Sequence, residues 1–428
     1  MSTLPYSPIL VTRKTCRICG GSALTPVVSL GDQHISGAFA DPKGKPPVQR
    51  RVPLELVRCD PALDERACGL VQMRHTVPPK VLYQSYWYES GINQTMRDNL
   101  GGIALMAEKA VGLRAGDLVL DIGCNDGTLL KAYRAEALRR LGIDPSNVAL
   151  QARAAGFEVI NDFFSAAAVR RVVPEQKPKV ITSIAMFYDL EHPNQFVADI
   201  QALLHEQGLW VLELSYLPTM LAMNSFDTIC HEHLEYYSLA ALERLLAEHQ
   251  LEVVDVTLND VNGGSFRICV GHAGRITPPA EAQARVQDLR LKEFELGLDT
   301  DAPYATFRNN IKQIRKDLLA LLKKAKAQKK LVHGYGASTK GNTTLQYCGI
   351  TSNLVPAIAD RNERKWGSST IGTKIPIISE DESRKRKPDY YLVLPWHFIE
   401  EFKQREKAFL GRGGQFVMPM PNVHLVGN

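Results

Sequence analysis

The sequence lacks any apolar run approaching about 18 residues, so it offers no helix that could span a bilayer. Its opening, MSTLPYSPILVTRKT, lacks the basic-then-apolar order of a secretory leader. Nor is there a large block of one charge. The 51 Lys and Arg against 46 Asp and Glu leave a formal net charge of +5 over 428 residues. The one local basic run, Arg384-Lys385-Arg386-Lys387, reads as a solvated loop. A nucleic-acid binder would show a stronger basic stripe. A few cations that hold a diphosphate would explain the balance. These absences point to a cytoplasmic protein with neither membrane nor nucleic acid as partner; a monomer or homodimer is expected.

What is present is ordinary for a globular chain: 45% apolar and 23% charged residues. The length exceeds one ordinary core and calls for two large units plus a small appendage. The first 80 or so residues are rich in Pro, Gly and Cys and poor in helical periodicity, as expected of a compact, loop-rich module. From there strands and helices alternate. Residues 95–113 read as a helix ending near Gly112, 118–123 as a strand, 128–138 as an amphipathic helix and 139–144 as a strand. Residues 147–156 and 193–208 read as helices, and 157–162, 179–187 and 209–216 as strands. After charged helices across 285–328, strand signals return at 330–338, 354–360 and 389–396. Strands alternating with helices imply right-handed βαβ units and parallel sheets. The reading is an α/β chain: a module over 1–80, a Rossmann-like domain over 81–284 and a second Rossmann-like α/β domain over 285–428.

Eight cysteines in a reducing compartment need a reason other than disulfides. Cys16-Arg-Ile-Cys19-Gly is a CxxC knuckle, and Cys59 and Cys68 follow. Two thiolate pairs can hold a tetrahedral zinc with no open position, a structural site. The second pair is less regular, and two unrelated buried thiols at 59 and 68 remain the alternative. A redox role is disfavoured, because no strand-helix frame surrounds the motif. The metal would stand in for a core that so small a module cannot build.

Leu118–Gly127, LVLDIGCNDG, places a glycine turn at a strand's carboxyl end, where the crevice of a doubly wound sheet opens. Gly123 and Gly127 allow close approach, and Asn125 lies between them. Asp121 and Asp126 add negative charge where a phosphate cradle would want none. The turn suits a cationic ligand carrying a sulfonium and an ammonium, which points to S-adenosylmethionine. Asp144 in GIDPS is placed to accept both ribose hydroxyls, and Asp162 in INDFF to meet a nucleobase amino group. The segment Tyr86–Thr95, including Gln94, reads as a lid over this cofactor or as core packing.

A third cluster is Asp227-Thr-Ile-Cys230-His231-Glu232-His233-Leu-Glu235-Tyr236-Tyr237. Histidine is the natural base near neutral pH. A metal is disfavoured, since alternate residues point apart on a strand and HExxH is absent. Asn262-Gly263-Gly264 is a turn into a strand. In the second α/β unit GYGASTKGN (334–342) is a strand-to-helix turn whose amides, with Ser338, Thr339, Lys340 and Asn342, suit a diphosphate or sugar. Arg361 and His397 are weaker candidates, from their positions at strand ends.

Together, DIGCNDG, SFDTICHEHLEYYSL, NGGSFR and GYGASTKGN resemble the nucleotide-sugar C-methyltransferases of deoxysugar biosynthesis, over nearly the whole chain. That resemblance implies a structural zinc, S-adenosylmethionine in the central domain and a C-terminal domain that helps hold the sugar nucleotide without a second cofactor. It implies His233 as the base, with Glu232 beside it, and Tyr88 lining the sugar site. The expected reaction is methylation of a sugar carbon next to a ketone, through an enolate whose oxygen takes a hydrogen bond from Tyr236 or Tyr237. An oxygen- or nitrogen-methyltransferase on another small molecule is the alternative. The chain departs from relatives at Ala185 and Asp189, where they carry Asn and His, and at Cys230, where many carry Tyr.

Overall fold

The computed structural model describes residues 10–37, 39–40, 51–78, 82 and 89–427. Its centre is a seven-stranded sheet. The strands Leu118–Ile122, Arg139–Ile143, Glu158–Ile160, Val180–Ile184 and Leu209–Ser215 run parallel. The hairpin Leu251–Asn259 and Ser265–His272 closes one edge, Ser265–His272 lying antiparallel to Leu209–Ser215. Counted in chain order, the strands lie 3-2-1-4-5-7-6. The winding reverses between Leu118–Ile122 and Val180–Ile184, so a crevice opens beyond their carboxyl ends.

Local chemistry explains the neighbouring helix. In Gln94–Val111 the buried side chains Met96, Leu100, Ile103, Ala104 and Ala107 form one stripe. Asn93 caps its start by accepting from the Thr95 amide, and Gly112 ends it in the left-handed conformation. The helix expected over 128–138 is shorter, Thr128–Ala132. The Glu108 carboxylate accepts from the amides of Arg134 and Ala135 and draws the chain out of the helix. That is a tertiary contact overriding local propensity.

The C-terminal unit holds a six-stranded sheet. Val332–Tyr335, Ile358–Asp360, Ile377–Ser379, Tyr390–Val393 and Gln415–Met418 are parallel, and His424–Val426 is antiparallel. Their order in space, 3-2-1-4-5-6, is that of a dinucleotide-binding sheet.

The N-terminal module differs from the loop-rich expectation. Leu24–His34, Arg51–Cys59 and Val71–Met73 form antiparallel ladders, and a two-residue strand from far along the chain, Glu235–Tyr236, adds to the edge. The alternation Val52, Leu54, Leu56 turns one face inward, and all three are buried. Leu54 and Leu56 of that face share a core with the long helix Ala302–Ala327, which buries Tyr304, Phe307, Ile311, Ile314, Leu318 and Leu322. Each such aliphatic side chain contributes about 2 kcal/mol of burial. The module's apolar surface thus packs into the large units rather than being replaced by metal alone. Among the described residues no helix is long and apolar enough to cross a membrane.

Candidate active site

The cysteine knuckle is complete. The sulfurs of Cys16, Cys19, Cys59 and Cys68 all lie within 4.8 Å of one another. Cys16 and Cys68 are 3.4 Å apart, as are Cys19 and Cys59. Zinc–sulfur bonds of about 2.3 Å in a tetrahedron require sulfurs roughly 3.8 Å apart, so the four thiolates fit this ion with no position left open. Inside the knuckle, Arg17 donates to the Met73 carbonyl at 2.7 Å and lies 3.6 Å from Glu235, both side chains fully buried. The zinc loop is therefore tied to the strand that follows the HEH run.

A cavity of about 690 Å³ opens at the crevice and runs to the C-terminal unit. Its first wall is the turn after Leu118–Ile122. Asp121, Gly123, Asn125 and Asp144 line it. Asp144 braces the turn, accepting from the Asn125 amide at 2.9 Å and the Ser146 amide at 2.7 Å. Asp121 accepts from Thr182 Oγ1 at 2.6 Å, and among the described residues no ion pair reaches it. Burial, then the like charges of Asp144 and Asp126, push its carboxyl up to about 7. Carboxylates gathered without a cation fit a ligand that brings its own positive charge, as S-adenosylmethionine does.

The described part of the expected lid is clasped onto this turn. The Ser90 amide donates to Asn125 Oδ1 at 2.9 Å, and the Gly91 amide to Asp126 Oδ2 at 2.7 Å. Asp126 thus serves the clasp and stands behind the cavity wall. Asn93, missed in the sequence, lines the cavity, while Gln94 is exposed and donates to Asp98. An asparagine just before a helix was the available signal. Asp162 is also exposed and outside the cavity. Its strand ends at Ile160, and Asn161 turns back to donate to the carbonyls of Asp144 and Ser146. Tyr86, Trp87 and Tyr88 lie outside the described residues.

His233 and Glu232 form a second wall. His233 Nδ1 lies 2.8 Å from the Thr228 carbonyl. A carbonyl only accepts, so Nδ1 carries the hydrogen and the neutral ring keeps its lone pair on Nε2. Burial, then the Lys340 charge, lower its pKa to about 3, so the imidazole is neutral at working pH. Burial holds the Glu232 carboxyl above its usual range. Gly37 leaves room for that carboxyl: a Cβ there would sit 2.1 Å from Glu232 Oε1. The two tyrosines are placed elsewhere. The Tyr236 hydroxyl donates to the Thr228 carbonyl at 3.3 Å, and Tyr237 packs against Phe187 at 5.3 Å in the core. Neither lines the cavity. Ala185 and Asp189 do line it, and Cys230 is buried behind.

The third wall comes from the C-terminal unit. Ser338, Thr339 and Lys340 face the cavity, with Asp360, Arg361 and Lys365 from the loop after the second strand. Asn342 is buried and donates to the Ser36 carbonyl, joining this helix to the N-terminal module instead of the cavity. The glycines of NGGSFR answer to packing: a Cβ on Gly263 would lie 2.9 Å from the Trp396 ring, and one on Gly264 2.1 Å from Thr219 Cγ2. Lys365, Asp360 and Arg405 were not expected at the cavity. Asp360 carried the same signal as Asp144, an acid closing a strand before a loop.

Three family models match the chain: a zinc binding domain over residues 16–83, a methyltransferase domain over 93–256 and a C-methyltransferase C-terminal domain over 260–421. A curated relative, C-methyltransferase NovU of Streptomyces niveus, is 31% identical over 413 residues, 96% of either chain. Among solved structures, an S-adenosylmethionine-dependent methyltransferase from Clostridium acetobutylicum is 12% identical with a TM-score of 0.32, over 42% of this chain and 92% of that one. Magnesium protoporphyrin IX methyltransferase of Synechocystis, with its methyl donor bound, is also 12% identical with a TM-score of 0.29, over 41% and 78%.

Proposed function

The chain belongs to the S-adenosylmethionine-dependent C-methyltransferases that join a zinc-binding module to two α/β units, and from that premise we propose that it methylates a sugar carbon beside a ketone in a nucleotide-linked keto-deoxysugar. One observation carries the reading. A neutral imidazole with a bare nitrogen shares a cavity with a carboxylate wall on one side and a cation-bearing glycine turn on the other. The resemblance of the HEHLEYY and GYGASTKGN motifs to the sugar-modifying enzymes points the same way.

In this reading Asp121, Asp144 and the Gly123–Asn125 backbone hold the methyl donor, and Asp126 holds the lid. When bound, the donor supplies a methyl group that leaves its bonding electron pair on sulfur. The carbon that accepts it must first become a nucleophile. His233 Nε2 removes the proton next to the ketone; the C–H pair becomes the enolate C=C bond, and the carbonyl pair moves to oxygen. The Thr228 carbonyl fixes the ring and its tautomer. Glu232 flanks the base on the same wall of the cavity, its carboxyl held above the usual range by burial. The turn at Gly336–Thr339 with Arg361 and Lys365 receives the anionic end of the substrate. A zinc ion held by Cys16, Cys19, Cys59 and Cys68 would cross-link the module whose edge strand carries Glu235, and Arg17 inside the knuckle lies against Glu235 just after the HEH run.

The test is a panel of nucleotide-linked keto-sugars and their alcohol counterparts, incubated with carbon-13 methyl donor. NMR should show a labelled methyl bonded to carbon, from ketones only. A methyl on oxygen or nitrogen, or equal reaction of the alcohols, would replace this reading with that of an oxygen- or nitrogen-methyltransferase.

A further inference from the structure

With both tyrosines turned away, the enolate needs a partner for its oxygen. We propose that the Lys340 ammonium, moored to the Asn262 carbonyl across the boundary between the two α/β units, stabilises the enolate oxygen. The inference rests on the ketone reading above and names the group that makes such chemistry feasible.

Lys340 sits in the first turn of the helix Thr339–Cys348, which Ser338 caps. Its Nζ reaches out of its own unit and donates to the Asn262 carbonyl at 2.6 Å. That carbonyl is held in place. Asn262 is in the left-handed region at φ 55°, in a turn pinned by Trp396 and Thr219 against Gly263 and Gly264. The ammonium lines the cavity with His233 and Glu232. It is close enough that its charge lowers the basicity of both His233 and His397.

The other cations of this cavity have carboxylate partners. Arg361 pairs with Glu401 at 2.8 Å and Arg405 with the same group at 2.9 Å, while Lys365 lies 3.7 Å from Asp360. Among the described residues no carboxylate comes within 4 Å of Lys340 Nζ. Asp227 acts on it from a distance, but that carboxyl accepts from Trp396 Nε1 at 3.0 Å and burial favours its protonated form. A half-buried ammonium with two N–H bonds left over is poised for an anion that enters the cavity. Its place beside the base selects which anion. The helix start lies against the HEH run: the space a Gly37 Cβ would fill is within 3.7 Å of Thr339 Oγ1 as well as touching Glu232. The charge that builds on the ketone oxygen as His233 removes the neighbouring proton arises at this wall. A preorganised donor at a developing oxyanion is worth about 10²–10³ in kcat.

Two variants, Lys340→Met and Lys340→Arg, test this with three readouts: kcat and KM for a keto-sugar nucleotide, and exchange of the hydrogen beside the ketone into deuterated water without methyl donor. In Lys340→Met both kcat and exchange should fall about 10²–10³-fold while KM stays within roughly threefold. Lys340→Arg keeps the charge and should recover part of both rates. A Lys340→Met enzyme with raised KM but undiminished kcat and exchange would overturn the inference and make Lys340 a diphosphate anchor. Covalent trapping of substrate on Lys340 by borohydride would also overturn it, since the amine would then be attacking the carbonyl. Should Lys340→Met fail to fold, Lys340→Arg decides: lowered kcat and exchange at unchanged KM support the inference, and raised KM with undiminished kcat and exchange would overturn it. Wild-type enzyme that exchanges no hydrogen and methylates no keto-sugar nucleotide would instead bring down the ketone reading itself.

Discussion

The molecule contains two glycine turns built alike and charged oppositely. Each follows the first strand of a parallel sheet, and each is braced by the aspartate that closes the second strand. Asp144 accepts from the Asn125 and Ser146 amides at 2.9 and 2.7 Å, and Asp360 accepts from the Ala337 and Asn362 amides, both at 2.7 Å. Around that shared frame the side chains diverge. Asp121 and Asp126 flank the first turn, whereas Lys340, Arg361 and Lys365 flank the second. The fold therefore decides where a ligand sits, and the rim decides its charge. A cationic methyl donor matches the first rim and an anionic group the second.

The largest effect should come from the wall that belongs to neither turn. His233→Asn should lower turnover by about a hundredfold or more, with affinity for the demethylated donor unchanged. Calorimetry and kinetics on one preparation check both, and undiminished turnover would remove His233 from the role. A paired substitution then sharpens the likeness of the turns. Asp144→Ala and Asp360→Ala each free two backbone amides, and each should cost about 1–3 kcal/mol of stability in thermal unfolding. Only Asp144→Ala should also weaken the donor, by roughly tenfold or more; equal weakening by both would dissolve the contrast.

The smallest effect is a pH dependence. A protonated Asp121 loses its attraction for a cation, so donor affinity should climb as pH rises through about 7, and Asp121→Asn should flatten the climb. The stability of the ligand-free protein runs the other way. The folded-state pKa lies above an unfolded value of about 3.9, so this contribution is full below about pH 4 and is lost as pH rises through about 7. A flat affinity profile in the wild type would show that Asp121 does not face the cation.

Much of this arrangement is legible from short-range patterns. Apolar runs stopped by glycine mark both turns, and CxxC marks half the zinc site. What stays hidden is non-local. The edge strand Glu235–Tyr236 joins a sheet whose other members end at Met73, with Gln72 opposite Glu235, and two residues give no period to read. The salt link from Arg17 to Glu235 follows from that pairing. Asp162 looks like the third acid of a series, yet its strand stops two residues early because Asn161 is needed to tie down the Asp144 loop. The rule that identified Asp144 applies equally to Asp360, which only the second sheet's geometry brings to notice.

The measurement closest to the centre of these conclusions is a crystal structure with the demethylated donor and a keto-sugar nucleotide bound together. The expected result puts the donor's amino-acid end and ribose against Asp121 and Asp144, the diphosphate against the Gly336–Thr339 turn, and the hydrogen-bearing carbon beside the ketone facing His233 Nε2. Both ligands crowded onto one turn, or a sugar ring turned away from His233, would contradict it.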